Sequence, residues 1–157
     1  MSLRGVGRLA RYDDVMQALR EVSDPEMPVV SIVDLGIVER VAIEDDRVVV
    51  DLLPTFTGCP AVGMMARAAE ARIRALPWVR EARAALRLEP VWSSERINER
   101  GRLALRSLGV APPGPVAVCP YCGSRHTRVT AAFGPTRCRM ACYCDECRNP
   151  FEQMKAV

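Results

Sequence analysis

Ile37-Val38-Glu39-Arg40-Val41-Ala42-Ile43-Glu44-Asp45-Asp46-Arg47-Val48-Val49-Val50-Asp51-Leu52-Leu53 holds two β-branched runs on either side of a polar break. Branched side chains are stiff at χ1 and pack well on a pleated surface, so residues 37–43 and 48–53 favour strands. Glu44-Asp45-Asp46 is turn-forming, and the pair is expected as a β-hairpin. Downstream, Pro54-Thr55-Phe56-Thr57-Gly58-Cys59 leads into a helical pattern. Pro60 suits the first helical position, where its missing N–H costs nothing. Val62, Met65, Ala69, Ile73 and Leu76 form the apolar stripe, with Arg67, Glu70 and Arg74 opposite, the last two at the favourable i,i+4 spacing. Pro77 stops the helix. Ala82, Ala84, Leu86 and Leu88 then alternate with Glu81, Arg83 and Arg87, as in a strand with one wet face.

Upstream, Tyr12, Val15, Leu19 and Val22 fall at steps of three and four and mark a first helix. It ends at Ser23-Asp24-Pro25, because the residue before a proline disfavours helix. The loop Asp24-Pro25-Glu26-Met27-Pro28 follows. Residues 94–108 read as a third helix, with Ile97, Ala104, Leu105 and Leu108 inward. The order α-β-β-α-β-α predicts an α/β (α+β) fold, a small two-layer sandwich with helices on one face of a three-stranded sheet. This sandwich is expected over residues 8–108, a Pro-rich linker over 109–116, and a zinc ribbon over 117–157.

The chain has 157 residues, 49% hydrophobic and 26% charged, which suits one modest core and an appendage too small to build its own. No apolar run approaches the ~20 residues that span a bilayer, and none near the N-terminus suits a secretory signal, so a cytoplasmic location is expected. Residues 1–116 carry 16 basic and 16 acidic side chains, whereas residues 117–157 carry 6 basic against Asp145, Glu146 and Glu152. A tetrathiolate metal site would itself be negative and offset that excess. The charge balance is therefore no nucleic-acid footprint.

Six of the seven cysteines lie between Cys119 and Cys147. In a reducing compartment such clusters are metal ligands or reactive thiols rather than disulfides. Cys119-Pro120-Tyr121-Cys122 and Cys144-Asp145-Glu146-Cys147 are two C-x2-C knuckles, whose paired sulfurs can face one centre. Four thiolates around Zn²⁺ make a closed tetrahedral site, and its binding energy supplies what burial cannot. An iron–sulfur cluster on the same four sulfurs is the alternative. Cys138 and Cys142 are read as small residues without metal, or else one of them replaces a knuckle cysteine, Cys142 and Cys144 being only two apart. His126 is read as a loop residue.

Cys59 stands apart, at or next to the start of the second helix. There the helix dipole and free N–H groups would stabilise a thiolate and lower its pKa, as suits a nucleophile or soft-metal ligand. The alternative is a buried, inert cysteine. Thr55 and Thr57 place hydroxyls nearby in the chain, and Asp24 and Glu26 can present two carboxylates. No local base accompanies Cys59, which argues against Cys–His acyl transfer. Asp34-Leu35-Gly36 is expected to need a positive φ at Gly36 before the hairpin.

Asp24-Pro25-Glu26-Met27-Pro28-Val29, Asp34-Leu35-Gly36, Pro54-Thr55 and Thr57-Gly58-Cys59-Pro60 together resemble the SufT-like (DUF59) metal–sulfur cluster biosynthetic family, over about residues 10–92. The resemblance implies a cluster-handling role for Cys59 beside Asp24 and Glu26. Trp92, Gly109-Val110-Ala111-Pro112-Pro113, Phe133-Gly134-Pro135-Thr136-Arg137-Cys138 and Cys144-Asp145-Glu146-Cys147-Arg148-Asn149-Pro150-Phe151-Glu152 are similar to the PaaD family, the small D components of phenylacetyl-CoA epoxidase systems. Cysteine is usual in that family at the position of Cys138, making it an extra thiol to consider, whereas Cys142 is peculiar to this chain.

That likeness implies a non-catalytic maturation factor in aerobic phenylacetate degradation. Its client would be the epoxidase complex, an oxygenase with a di-iron centre and a reductase with an iron–sulfur cluster. Transient iron or an iron–sulfur cluster would pass through Cys59 in the setting of Asp24, Glu26, Thr55 and Thr57. The ribbon, with zinc on Cys119, Cys122, Cys144 and Cys147, would dock a partner. No di-iron carboxylate–histidine set and no Gly-rich nucleotide loop occur in the sequence. Rival expectations are a nucleic-acid-binding or general docking module, with Arg125, Arg128, Arg137 and Arg139 on one face, and a thiol enzyme using Cys59. A bared strand edge would also permit a homodimer.

Overall fold

The computed structural model describes residues 3–157, with side chains from residue 7 onward. The chain opens with α1 (Leu3–Arg20), then a short pair, β1 (Ser23–Asp24) and β2 (Met27–Ser31). The hairpin follows as β3 (Val38–Glu44) and β4 (Arg47–Leu52), then α2 (Ala61–Arg74) and β5 (Glu81–Leu86). β3 and β4 pair antiparallel, with Asp45 at φ 52 in the turn; β4 and β5 pair parallel across the α2 crossover. The sheet order is β3-β4-β5. The α/β fold expected from the hairpin and its two neighbours is present.

The stripe of α2 packs as the spacing requires: Val62, Met65, Ala69 and Ile73 are buried. Glu70 and Arg74 reach across to the edge strand β5, where Glu70 accepts the Ala84 N–H at 2.9 Å and Arg74 donates to the Ala82 carbonyl at 3.2 Å. In α1 the buried stripe is Val15 and Leu19, continued by Val22, while Tyr12 is 43% exposed. The polar side of α1 meets Trp78 instead: its indole N–H donates to Asp14 at 3.1 Å, and Arg11 lies over its ring. Leu86 and Leu88 are exposed because Leu86 ends the edge strand and Leu88 lies beyond it, so the alternation outruns the sheet.

The expected third helix is broken. A single 3-10 turn, Ser94–Arg96, precedes α3 (Glu99–Ser107). Asn98 between them caps α3 by accepting the Gly101 N–H at 2.8 Å. Its amide also donates to Asp34 at 2.8 Å, tying α3 to the loop before the hairpin. Ile97 and Leu105 are buried, whereas Leu108, past the helix end, is exposed. Gly36 has φ +68, and an added Cβ would meet the Arg96 backbone at 2.4 Å, so only glycine fits that turn. The segment Asp24–Met27, expected as an irregular loop, is the tight turn of the β1–β2 pair.

The largest departure concerns residues 109–116. Part of this proline-rich stretch is a strand, β6 (Val110–Ala111), pairing parallel with β9 (Pro150–Met154). With β7 (Thr127–Ala131) and β8 (Arg139–Cys144) they form a second sheet, ordered β6-β9-β8-β7. Val110 and Met154 belong to the same buried cluster as Val15, Leu52 and Trp92. The ribbon is therefore seated on the sandwich through shared core residues rather than tethered to it. Composition suggests a linker because Pro112, Pro113 and Pro115 mask two residues that burial makes a strand.

Candidate functional site

The two knuckles converge as their spacing predicts. The sulfurs of Cys119, Cys122, Cys144 and Cys147 all lie within 4.8 Å of one another. Cys119 to Cys147 and Cys122 to Cys144 are each 3.6 Å. Tetrahedral ligands about 2.3 Å from Zn²⁺ would stand roughly 3.8 Å apart, so the donor set fits a closed four-thiolate metal site. Asn149 lies beside it, its amide 3.4 Å from the Cys147 sulfur, and holds that thiol down to about 6. Cys122 is pushed up to about 12, the Ser124 N–H opposing burial and the neighbouring thiols.

Cys142 is 1% exposed in the apolar centre of the ribbon and is no ligand. Burial pushes its thiol up, as for an inert core cysteine. His126 is exposed and faces Glu146 at 3.6 Å, outside the metal shell. The four ribbon arginines do not make one bare cationic face. Arg139 is ion-paired with Glu152 at 2.7 Å and its side chain is 11% exposed. Arg128 pairs with Asp145 at 3.2 Å and lies over Tyr143, and Arg137 turns to a cavity between the lobes.

That cavity, of about 210 Å³, contains Cys59. Gly58 at φ +81 turns the chain so that Cys59 precedes the Pro60 cap of α2. The Cys59 N–H donates to the Phe56 carbonyl at 3.1 Å, fixing the loop. Cys59, Phe56, Pro60 and Glu26 come from the sandwich; Pro135, Thr136, Arg137 and Cys138 come from the ribbon. Among the expected site residues, the structure thus gathers Cys59, Glu26 and Cys138. Asp24 is buried just behind, its carboxylate accepting the Glu26 N–H at 2.8 Å. Thr55 is buried and Thr57 exposed, and neither lines the cavity. The ribbon wall could not be foreseen, because nothing local in the sequence says which loop faces Cys59.

The expected low pKa of Cys59 is corrected. Burial pushes the thiol above its ordinary value; the Ala61 N–H opposes this, and the charges of Asp24, Cys138 and Glu26 add to the rise. The helix terminus is outweighed because the half-buried sulfur has lost water and faces anionic neighbours. Burial also pushes the Asp24 carboxyl up, against the Glu26 N–H, the Arg139 charge and the Met27 N–H. The rise favours the protonated thiol, whose proton any bound cation would have to displace.

A β-hairpin, crossover helix and third strand with such a thiol, followed by a tetrathiolate ribbon, are the two parts that the family comparisons match, an iron–sulfur cluster assembly domain and a zinc ribbon domain. Residues 12–85 match the family model described as iron-sulfur cluster assembly protein, and residues 109–155 match the PaaD zinc beta ribbon domain. The chain is 31% identical to the Escherichia coli (strain K12) protein named as the D component of a "Putative 1,2-phenylacetyl-CoA epoxidase", covering 92% of each. It therefore belongs to the PaaD family, and this chain carries both domains. It is also 30% identical to an "Fe-S protein maturation auxiliary factor" of Porphyromonas gingivalis, over 62% of this chain and 92% of that one. The crystal structure of a DUF59 domain from Bacillus anthracis superposes with a TM-score of 0.57 at 31% identity, covering 62% of this chain and 92% of that one. No helix among the described residues is long and apolar enough to cross a membrane.

Proposed function

We propose that the chain is a non-catalytic maturation factor that delivers iron or an iron–sulfur cluster to the phenylacetyl-CoA epoxidase complex in the cytoplasm. The observation that carries this reading is Cys59: half-buried, open to a cavity, and beside Glu26 and the buried Asp24. A thiol held protonated at neutral pH is a poor nucleophile, which weighs against a thiol enzyme. The same thiol becomes a ligand once a metal displaces its proton, which suits a carrier. The ribbon keeps four sulfurs around one centre, and with zinc there no position stays open for chemistry. It would serve as a docking lobe for the reductase or oxygenase of the complex.

The test co-produces the epoxidase complex with wild-type protein or with Cys59→Ala, then measures iron and sulfide in the purified reductase and oxygenase. The variant should fold normally and lower the metal content of a client protein at least about tenfold, since even an outer-shell partner of a metal is worth that much. A fully loaded, fully active client made with the variant would sink the proposal. Turnover of a small substrate by the isolated protein would instead favour the thiol enzyme.

A further inference from the structure

We infer that Cys138, carried by the ribbon, is a second thiol ligand for the cargo bound at Cys59, so that iron is held across the junction of the two lobes with Glu26 as a third donor. This rests on the proposed role of Cys59 and extends it to a partner from the other domain. Cys59, Cys138 and Glu26 line one cavity of about 210 Å³. Its remaining walls include Phe56, Pro60 and Pro135, which exclude water and favour neutral thiolate–metal pairs over hydrated ions.

Cys138 is not needed by the ribbon, whose four sulfurs are already gathered without it. It is nevertheless held in place. Its sulfur lies 3.2 Å from the Thr136 hydroxyl, and its carbonyl accepts the Lys155 N–H at 2.8 Å. Arg139 next to it donates to Thr136 at 3.0 Å and pairs with Glu152. These four contacts brace a small loop that brings Cys138 to the cleft, and the seating of β6 and β9 in the common core fixes that loop against Cys59.

Two thiolates and a carboxylate select a thiophilic divalent ion such as Fe²⁺ over Mg²⁺ or Ca²⁺. When the ion enters, each thiol gives one proton to solvent and each sulfur forms one bond to iron; no electron moves. Three donors leave at least one position of a tetrahedral ion open, through which an acceptor's ligand can take the cargo. Among the described residues only the ribbon cysteines hold three or more donor atoms within 4.8 Å. The junction donors must therefore be drawn in by side-chain rotation, which makes the hold reversible where that of the ribbon is not.

The test uses the full chain, purified without oxygen with its ribbon metal in place. Co²⁺ is titrated as a probe for Fe²⁺ and followed by sulfur-to-metal charge-transfer absorption. Wild type should take up one ion beyond that of the ribbon. Cys59→Ala and Cys138→Ala should each weaken this uptake at least about tenfold, since even an outer-shell partner is worth that much. Cys138→Asp, which keeps a donor, should recover part of the affinity with less thiolate absorption. If Cys138→Ala binds as wild type while Cys59→Ala does not, the cross-domain ligand is refuted and the role of Cys59 stands. If both bind as wild type, both readings fall. Loss of ribbon metal in Cys138→Ala would make it a ribbon residue and also overturn the inference.

Discussion

The ribbon tetrad and the junction cleft arrange the same side chain, cysteine, in opposite ways. In the ribbon, two knuckles bring four sulfurs within 4.8 Å, close to the spacing of a filled tetrahedron. In the cleft, Cys59 and Cys138 come from different lobes and share a cavity rather than a coordination shell. The first arrangement closes on a metal and stabilises a fold. The second, in the role proposed for it, would leave room for a cargo to enter and leave. What separates them is how far the backbone has drawn the donors together before the ion arrives.

Removing one ribbon ligand should break the comparison most severely. Cys144→Ala would forfeit much of the roughly 10–16 kcal/mol that structural zinc supplies to small fingers. Amide NMR dispersion should collapse across β7, β8 and β9, and the melting temperature of the whole chain should fall. Native dispersion in the variant would show that the tetrad is not what holds the ribbon.

The seam between the lobes is the next target. Met154 ends β9 yet is 1% exposed within the core of the sandwich. Met154→Ala should cost about 2–5 kcal/mol, as large-to-small changes in a core do. Because the residue belongs to both lobes, urea should unfold sandwich and ribbon in one transition, shifted to lower denaturant. Two separate transitions in the wild-type protein would mean that the lobes fold independently.

The smallest effect is expected at Asp24, the carboxyl buried just behind the cleft. Burial raises its carboxyl above 3.8, so the folded chain binds that proton more readily than the unfolded one. The associated stability is fully present below 3.8 and is lost as pH rises through the higher folded value. Asp24→Asn keeps an oxygen for the Glu26 N–H and removes the buried charge. Relative to wild type it should gain stability with rising pH, by no more than about 1 kcal/mol at neutrality, because a charge-assisted bond is also surrendered. Paired urea titrations at mildly acidic and neutral pH measure this. A loss of stability at neutral pH would show that the Arg139 attraction outweighs burial.

The regular elements of the sandwich were legible because each carries its own period. Val48, Val50 and Leu52 alternate and are buried; Val62, Met65, Ala69 and Ile73 step by three and four and are buried. The tetrad was legible because C-x2-C fixes two sulfurs locally, and only one further approach is needed. Errors fell where a pattern reached or ran past the end of its element, as at Leu86, Leu88 and Leu108, whereas Tyr12 lies within α1 yet is exposed. The break before α3 was missed although Asn98 is a good capping residue, since apolar spacing on both sides masked it.

Sequence alone pointed to the hairpin, the crossover helix, the gathering of the four ribbon sulfurs and the isolation of Cys59 from them. Each is decided by residues close in the chain or by a spacing that chemistry recognises. Only the tertiary structure turned residues 109–116 into a seam, set Cys138 opposite Cys59, and raised the Cys59 thiol instead of lowering it. Those outcomes depend on what is desolvated and on which distant charges face it, and burial and Coulomb energy act through space rather than along the chain.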